Sequence, residues 1–272
     1  MSTFSTCTSS TRPGSPANGD VLFETDTKSV ILWDGTAWRG YESDGAFGSG
    51  TFTSNSYSAN FDGSNDYINT GNKFDFIQQT CNFSISCWLK FTNYASTSAN
   101  QYIIHTTDSN GRIGFMLYFD NRSNTKKLIT VVSTIAGTQP IVSVNNGITD
   151  NNWHHVAVTC ADGGFLKLYR DGNVIGNISA PTPVATTAMQ TLTLGGALNT
   201  SDQLILPFAG YLDEVAIFNR ELTNTEISNI INNKTYSQFS AMYRLENNAD
   251  DEIGLNNGTN NGATFVTSPK PY

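Results

Sequence analysis

The stretch "FSISCWLKF", residues 83–91, sets Phe83, Ile85, Cys87, Leu89 and Phe91 on one side and smaller or polar residues on the other. Side chains alternate across a strand, so an apolar/polar period of two predicts a strand with one face on a core. The pattern recurs in "IGFMLYFD" (113–120), "KLITVVS" (127–133), "WHHVAVTC" (153–160), "FLKLYR" (165–170) and "YLDEVAIF" (211–218). Short strands at intervals of roughly ten residues favour an antiparallel sandwich or jelly roll. Asp171-Gly172, between "FLKLYR" and "NVIGNI", is a type I′ hairpin signal. One helix is predicted, in "LTNTEISNIINN" (222–233). Thr223 and Glu226 form a capping box there, and Ile227, Ile230 and Ile231 share a face.

Composition narrows the function. Charged residues are 14% of the 272, and the net charge is -8. A polyanion-binding surface needs clustered Lys and Arg, and the one notable cluster is Lys126-Lys127 near Arg122. Nucleic acid is therefore not an expected partner. No apolar run approaches the roughly 20 residues of a membrane span, so membrane insertion is not expected either. The start, "MSTFSTCTSSTRPGSP", lacks the apolar stretch of a secretory signal. The cysteines, Cys7, Cys81, Cys87 and Cys160, have no CxxC spacing, which predicts buried free thiols and no zinc site. Cys81 and Cys87 read as one strand region and cannot easily bridge each other, and a bridge between Cys87 and Cys160 on neighbouring strands is the alternative.

Three regions follow from the chain order. Residues 1–45 begin with a Ser/Thr/Pro-rich arm and continue into three short predicted strands, at 21–24, 30–33 and 38–41. Strands this short bury little surface, so such a unit needs a partner, often copies of itself. Phe23, Trp33 and Trp38 are its candidate attachment or oligomerisation residues. Residues 46–56 read as a flexible joint, and 57–272 as the main β domain.

Four blocks in this order, "YSANFDGSNDYINTG", "FSISCWLKF", "NNWHHVAVTCADGGFLKLYRDGNVIGN" and "FAGYLDEVAIFNRELTNTEISNI", resemble the laminin-G-like, concanavalin A-like jelly-roll superfamily in its microbial and phage form. The resemblance implies an all-β fold of two curved antiparallel sheets, recognition of carbohydrate or protein ligands, and often a structural calcium ion. One departure stands out. A first strand that the family carries before the "FDGSNDY" block is missing there, and similar text lies at 243–266. Residues 241–272 are thus read as a permuted closing segment. The block "STRPGSPANGDVLFETDTKSVILWDGTAWRGY" resembles a short module of tailed-phage fibre and appendage proteins. That likeness implies a virion-surface location, with assembly in the host cytoplasm.

The adjacent His154 and His155 invite a catalytic or metal-binding reading. In a strand they point to opposite faces and cannot share a small ion. A structural role is expected, with His155 on the face of Trp153 and His154 on that of the valines. Asp213 and Glu214 likewise fall on opposite faces. A glycosidase pair must converge across a cleft, so no enzyme is expected. Calcium takes oxygen ligands, and Asp62, Asn65 and Asp66 are the candidates, against a reading as turn residues. Tyr94, Tyr102 and Tyr118 are candidate sugar contacts, although no carbohydrate site is selected.

The resulting expectation is a phage virion structural protein, a fibre or surface appendage, that displays a lectin-like domain. Its expected partners are itself as a homotrimer, other virion proteins through the N-terminal region, and a host surface glycan. The alternatives are a passive head, neck or tail decoration protein and a secreted bacterial carbohydrate-binding module.

Overall fold

The computed structural model describes residues 5–8, 10–17, 20–24, 29–33, 38–42, 45–46, 48–52, 54–95, 99–107, 113–134 and 139–267. The main unit is a sandwich of two sheets. The eight-stranded sheet runs in the order Asn173–Ser179, Phe165–Arg170, His154–Cys160, Phe83–Phe91, Ala209–Phe218, Ser58–Asp62 and Thr264–Val266. Its eighth strand, Ala241–Tyr243, also pairs with Ala209–Phe218. The seven-stranded sheet runs Ile141–Val144, Lys127–Ser133, Gly114–Asp120, Gln101–His105, Thr193–Leu194, Tyr67–Asn69 and Thr259–Asn261.

The alternation predicted at 83–91 holds residue by residue. Phe83, Ile85, Cys87, Leu89 and Phe91 all enter the core between the sheets. Facing them from the other sheet are Phe115, Leu117 and Phe119, with Phe83 edge-on to Phe115 at 5.8 Å between centroids. Each fully buried side chain of this size contributes about 1.5–3 kcal/mol, so the seam between the sheets dominates stability. The turn at Asp171-Gly172 has φ of 50° and 81°, the paired left-handed conformation that a type I′ hairpin requires.

Residues near the C-terminus pair within their own chain. Thr259–Asn261 lies beside Tyr67–Asn69, and Thr264–Val266 beside Ser58–Asp62. One segment thus supplies the edge strand of both sheets.

The outer face of the eight-stranded sheet carries a second layer over part of its width. The helix Asn224–Asn233 has the predicted capping box, with Thr223 and Glu226 bonding reciprocally. It places Ile227 and Ile230 on Ala157, Tyr169 and Ala216 of the sheet. After it, Thr235–Phe239 pairs with Gly48–Thr51. That second strand lies in the segment read as a joint, and the adjoining Phe52 packs on Tyr236 and Phe239 at 5.9 and 6.4 Å. Gly48 permits the packing, since a Cβ there would sit 2.2 Å from the Phe239 ring. A short helix, Phe76–Thr80, was not anticipated. It places Cys81 at its left-handed C-cap, not on a strand with Cys87.

The N-terminal strands form a five-stranded sheet in the order Ser5–Cys7, Val21–Glu24, Ser29–Trp33, Trp38–Glu42 and Gly45–Ala46. The strand Ser5–Cys7, inside the predicted arm, pairs in parallel with Val21–Glu24. Leu22 and Ile31 are buried, Phe23 and Trp33 are partly exposed, and the backbones of Trp33 and Trp38 are paired. The Trp38 side chain lies outside the described residues. All four cysteines are free thiols, and burial pushes those of Cys87 and Cys160 up to about 12.

Candidate functional site

The second layer leaves part of the eight-stranded sheet open, and register shows what that part presents. Lys90 pairs with Tyr211, Tyr211 with Asn60, and Asn60 with Thr264. Trp153 precedes His154, which pairs with Leu89, so Trp153 falls beside Lys90. Residues directly opposite on neighbouring strands share a face. Trp153, Lys90, Tyr211, Asn60 and Thr264 therefore form one stripe across five strands. The first four are partly exposed and Thr264 is exposed. The Trp153 and Tyr211 rings are 6.2 Å apart and tilted by 55°. The Lys90 ammonium sits 5.4 Å from the centre of the Tyr211 ring, a cation–π distance. Asn60 donates to the Thr264 hydroxyl at 3.2 Å.

One row further along, Ala209 pairs with Asp62, and Thr92 donates its N–H to the Ala209 carbonyl. Here a pocket of about 230 Å³ opens at the rim, its polar lining supplied by Thr92, Asn93, Asn100 and Gln101. The Gln101 side chain accepts from the Ala209 N–H at 2.9 Å, which ties the pocket wall to the strand carrying Tyr211. Asn100 Oδ1 is buried and has no hydrogen-bond partner among the described residues. A buried acceptor left unmade is costly. The stripe offers aromatic faces and the pocket offers amides, which is the pairing a polyhydroxylated ring needs.

The histidines do point to opposite faces. His154 lies between two carboxylates, with Nδ1 2.8 Å from Asp171 and Nε2 3.1 Å from Asp150. His155 is fully buried on the other face, and its ring packs edge-on against Trp88 at 5.4 Å. The two acids of "LDEV" correct the alternation. A bulge between Asp213 and Ala216, with Glu214 at φ 47°, adds a residue to the strand. Both acids therefore meet the covering segments, and both are buried. Asp213 accepts from Asn55 at 2.8 Å and Glu214 from the Tyr236 hydroxyl at 2.7 Å.

In the candidate calcium loop, Asp66 is buried and accepts from the Asp62 N–H at 2.9 Å. Asp62 accepts from the Ser64 and Asn65 N–H groups at 2.7 and 3.4 Å, and both Asp62 and Asn65 are exposed. Calcium takes six to eight oxygens. Both carboxylates hold the loop's own backbone, which is the turn chemistry also expected of these residues. Among the described residues no group of three or more His, Cys, Asp or Glu side chains is placed to hold an ion.

The three candidate tyrosines separate. Tyr102 and Tyr118 stack at 4.9 Å with rings 12° apart, on the outer face of the seven-stranded sheet, beside buried Met116, Ile129 and Val131. Burial pushes the Tyr102 phenol up to about 12, with the nearby Tyr118 adding to it. Tyr94 lies apart, under the Lys126 ammonium at 5.3 Å. Lys90, Trp153 and Tyr211 were not selected from the sequence. Their outward positions were readable from alternation, but their meeting needs the register of three strands.

Residues 62–228 match the family model of the concanavalin A-like lectin/glucanases superfamily. No curated protein matches the chain in sequence. Among solved structures, a Bacteroides ovatus protein to which carbohydrate binding is ascribed superposes with a TM-score of 0.57 at 18% identity. The alignment covers 79% of this chain and 61% of that protein, so this chain spans about three fifths of its length. The heptameric SAP-like pentraxin of Limulus polyphemus gives a TM-score of 0.47 at 14% identity, over 65% of this chain and 82% of that one. The CBM40 of the Ruminococcus gnavus IT-sialidase, bound to alpha2,3 sialyllactose, gives 0.46 at 16%, over 57% and 85%. The family match extends over more than half of the chain, and the two antiparallel sheets agree with it: the chain belongs to the concanavalin A-like lectin/glucanases superfamily.

Proposed function

We propose that this chain is a non-catalytic glycan-recognition protein of a phage virion surface, with residues 1–45 as its attachment region. The observation that carries the recognition role is the open stripe of Trp153, Lys90, Tyr211 and Asn60 running into the amide-lined rim pocket. At about 230 Å³ the pocket is smaller than the roughly 300–1,000 Å³ of drug-sized sites, and it suits a single sugar ring. The virion setting rests on the likeness of residues 10–41 to phage appendage modules. Copies assembled as a trimer would turn weak single contacts into tight attachment, by about 10²–10⁴-fold when several engage together.

The test is a glycan array probed with the full chain, followed by titration of the best binder into Trp153→Ala and Tyr211→Ala. Loss of a central aromatic contact weakens binding by about tenfold or more, while the melting temperature stays near that of the parent. Unchanged affinity in both variants would move the site elsewhere. An array with no binder would remove the recognition role.

A further inference from the structure

We infer that the open face selects an acidic saccharide, with Lys90 as the partner of its carboxylate or phosphate; this deepens the glycan-recognition reading and rests on it. The chain is acidic, at net -8. Many of its cations are neutralised within the fold. Arg122 pairs with Asp120, Lys167 with Glu221, and Arg220 with Glu226, at 2.7 to 3.0 Å. Lys90 differs. Among the described residues it has no ion-pair partner, and its own row holds Trp153, Tyr211, Asn60 and Thr264, all neutral. The nearest acid by register, Asp213, lies one row back and one strand away, but it is fully buried under the cover and accepts from Asn55. On the open side the nearest is Asp62, one row along and two strands away. Strand geometry puts those Cα positions roughly 12 Å apart. The Asp62 carboxylate is also already accepting two backbone N–H groups.

Position adds to charge. The Lys90 ammonium rests on the Tyr211 ring, so its long side chain is held across the sheet and loses less freedom when an anion arrives. A pyranose lying on the Trp153 and Tyr211 faces would project a ring substituent toward that ammonium. Among the described residues, the rim pocket beyond is lined only by neutral side chains, Thr92, Asn93, Asn100 and Gln101 among them. It would take the next, uncharged sugar through its hydroxyls. The surrounding negative field disfavours long polyanions, so the face suits a saccharide with isolated acidic groups.

The experiment uses the full chain and matched pairs that differ only in charge. Trigalacturonate is compared with its methyl ester, and glucose 6-phosphate with glucose, by titration calorimetry in low and high salt. A uronate preference and a phosphate preference separate the two sources of the anion. The acidic member of at least one pair is expected to bind about tenfold tighter than its neutral mate, with the gap closing in high salt. Lys90→Gln should erase the difference between the two members of each pair, and Lys90→Arg should restore it. Equal affinity for both members of each pair overturns the assignment, as does a preference that survives in Lys90→Gln. If only neutral sugars bind, the acidic class falls and glycan recognition stands. If neither member of any pair binds and the glycan array is also blank, both fall.

Discussion

Two neighbouring positions on each of two paired strands have opposite fates. On Phe83–Phe91 and Ala209–Phe218, Lys90 pairs with Tyr211, and two residues along Trp88 pairs with Asp213. All four point to the outer face of the eight-stranded sheet. Lys90 and Tyr211 are partly exposed, whereas Trp88 is 9% exposed and Asp213 is fully buried. The difference lies in what the rest of the chain lays on top. Asn55 reaches Asp213, and Tyr236 reaches the adjoining Glu214. Among the described residues, no such layer lies over the open end. Strand alternation therefore decides the face, and the cover decides whether a residue there is buried or left open to solvent.

The sharpest way to break this contrast is to thin the cover. Phe239 is 1% exposed and packs near Phe52. Phe239→Ala should cost about 3–5 kcal/mol, read as a clear fall in melting temperature, whereas Trp153→Ala at the open end should leave melting nearly unchanged. If the two variants melt alike, the covered and open halves are not distinct in the way the burial indicates. A smaller effect is expected from Tyr236→Phe. It removes one hydroxyl and leaves a buried Glu214 oxygen short of a donor, at a cost of roughly 1–3 kcal/mol. A urea titration should show a lower midpoint with an unchanged slope. A midpoint equal to the parent's would mean that the Glu214 contact contributes nothing to holding the cover down.

The sandwich was legible because each of its strands declares itself locally. Phe83 to Phe91 alternate, Asp171-Gly172 can close only a tight hairpin, and Thr223 with Glu226 marks a helix start. The cover was less legible. Gly48–Thr51 is "GSGT", with no side-chain pattern to read, and Gly48 is small because Phe239, far away in sequence, lies on it. The helix Phe76–Thr80 is five residues long and has no side-chain cap. Glu214 was misplaced because a bulge adds a residue that alternation cannot foresee. The stripe was hidden for a related reason. Trp153 and Tyr211 are ordinary aromatics until register brings them to either side of Lys90.

The open half has one support that depends on pH, and it gives the smallest of these effects. Trp153 precedes His154, which clamps Asp150 to the hairpin turn at Asp171. The His154 pKa is raised above its ordinary value by its hydrogen bond to Asp171, which together with both carboxylate charges outweighs burial. Asp150 is lowered, first by the Asn152 N–H and then by His154. Burial alone would raise Asp171, but the bond and charge of His154, the His155 N–H and Arg170 bring it below its usual value. A histidine with a raised folded pKa contributes fully below its unfolded value of about 6.5 and loses that contribution as pH rises through the folded value. The carboxylates contribute above about 4 and lose it as pH falls through their depressed values. The clamp is thus strongest between about pH 4 and 6.5. Because these carboxylates are well exposed, the change on going to pH 8 is on the order of a degree or two in melting temperature. His154→Gln should flatten that part of the profile. If parent and variant curves run parallel from pH 6 to 8, the clamp contributes no stability, and the loop bearing Trp153 is held by its backbone turn alone.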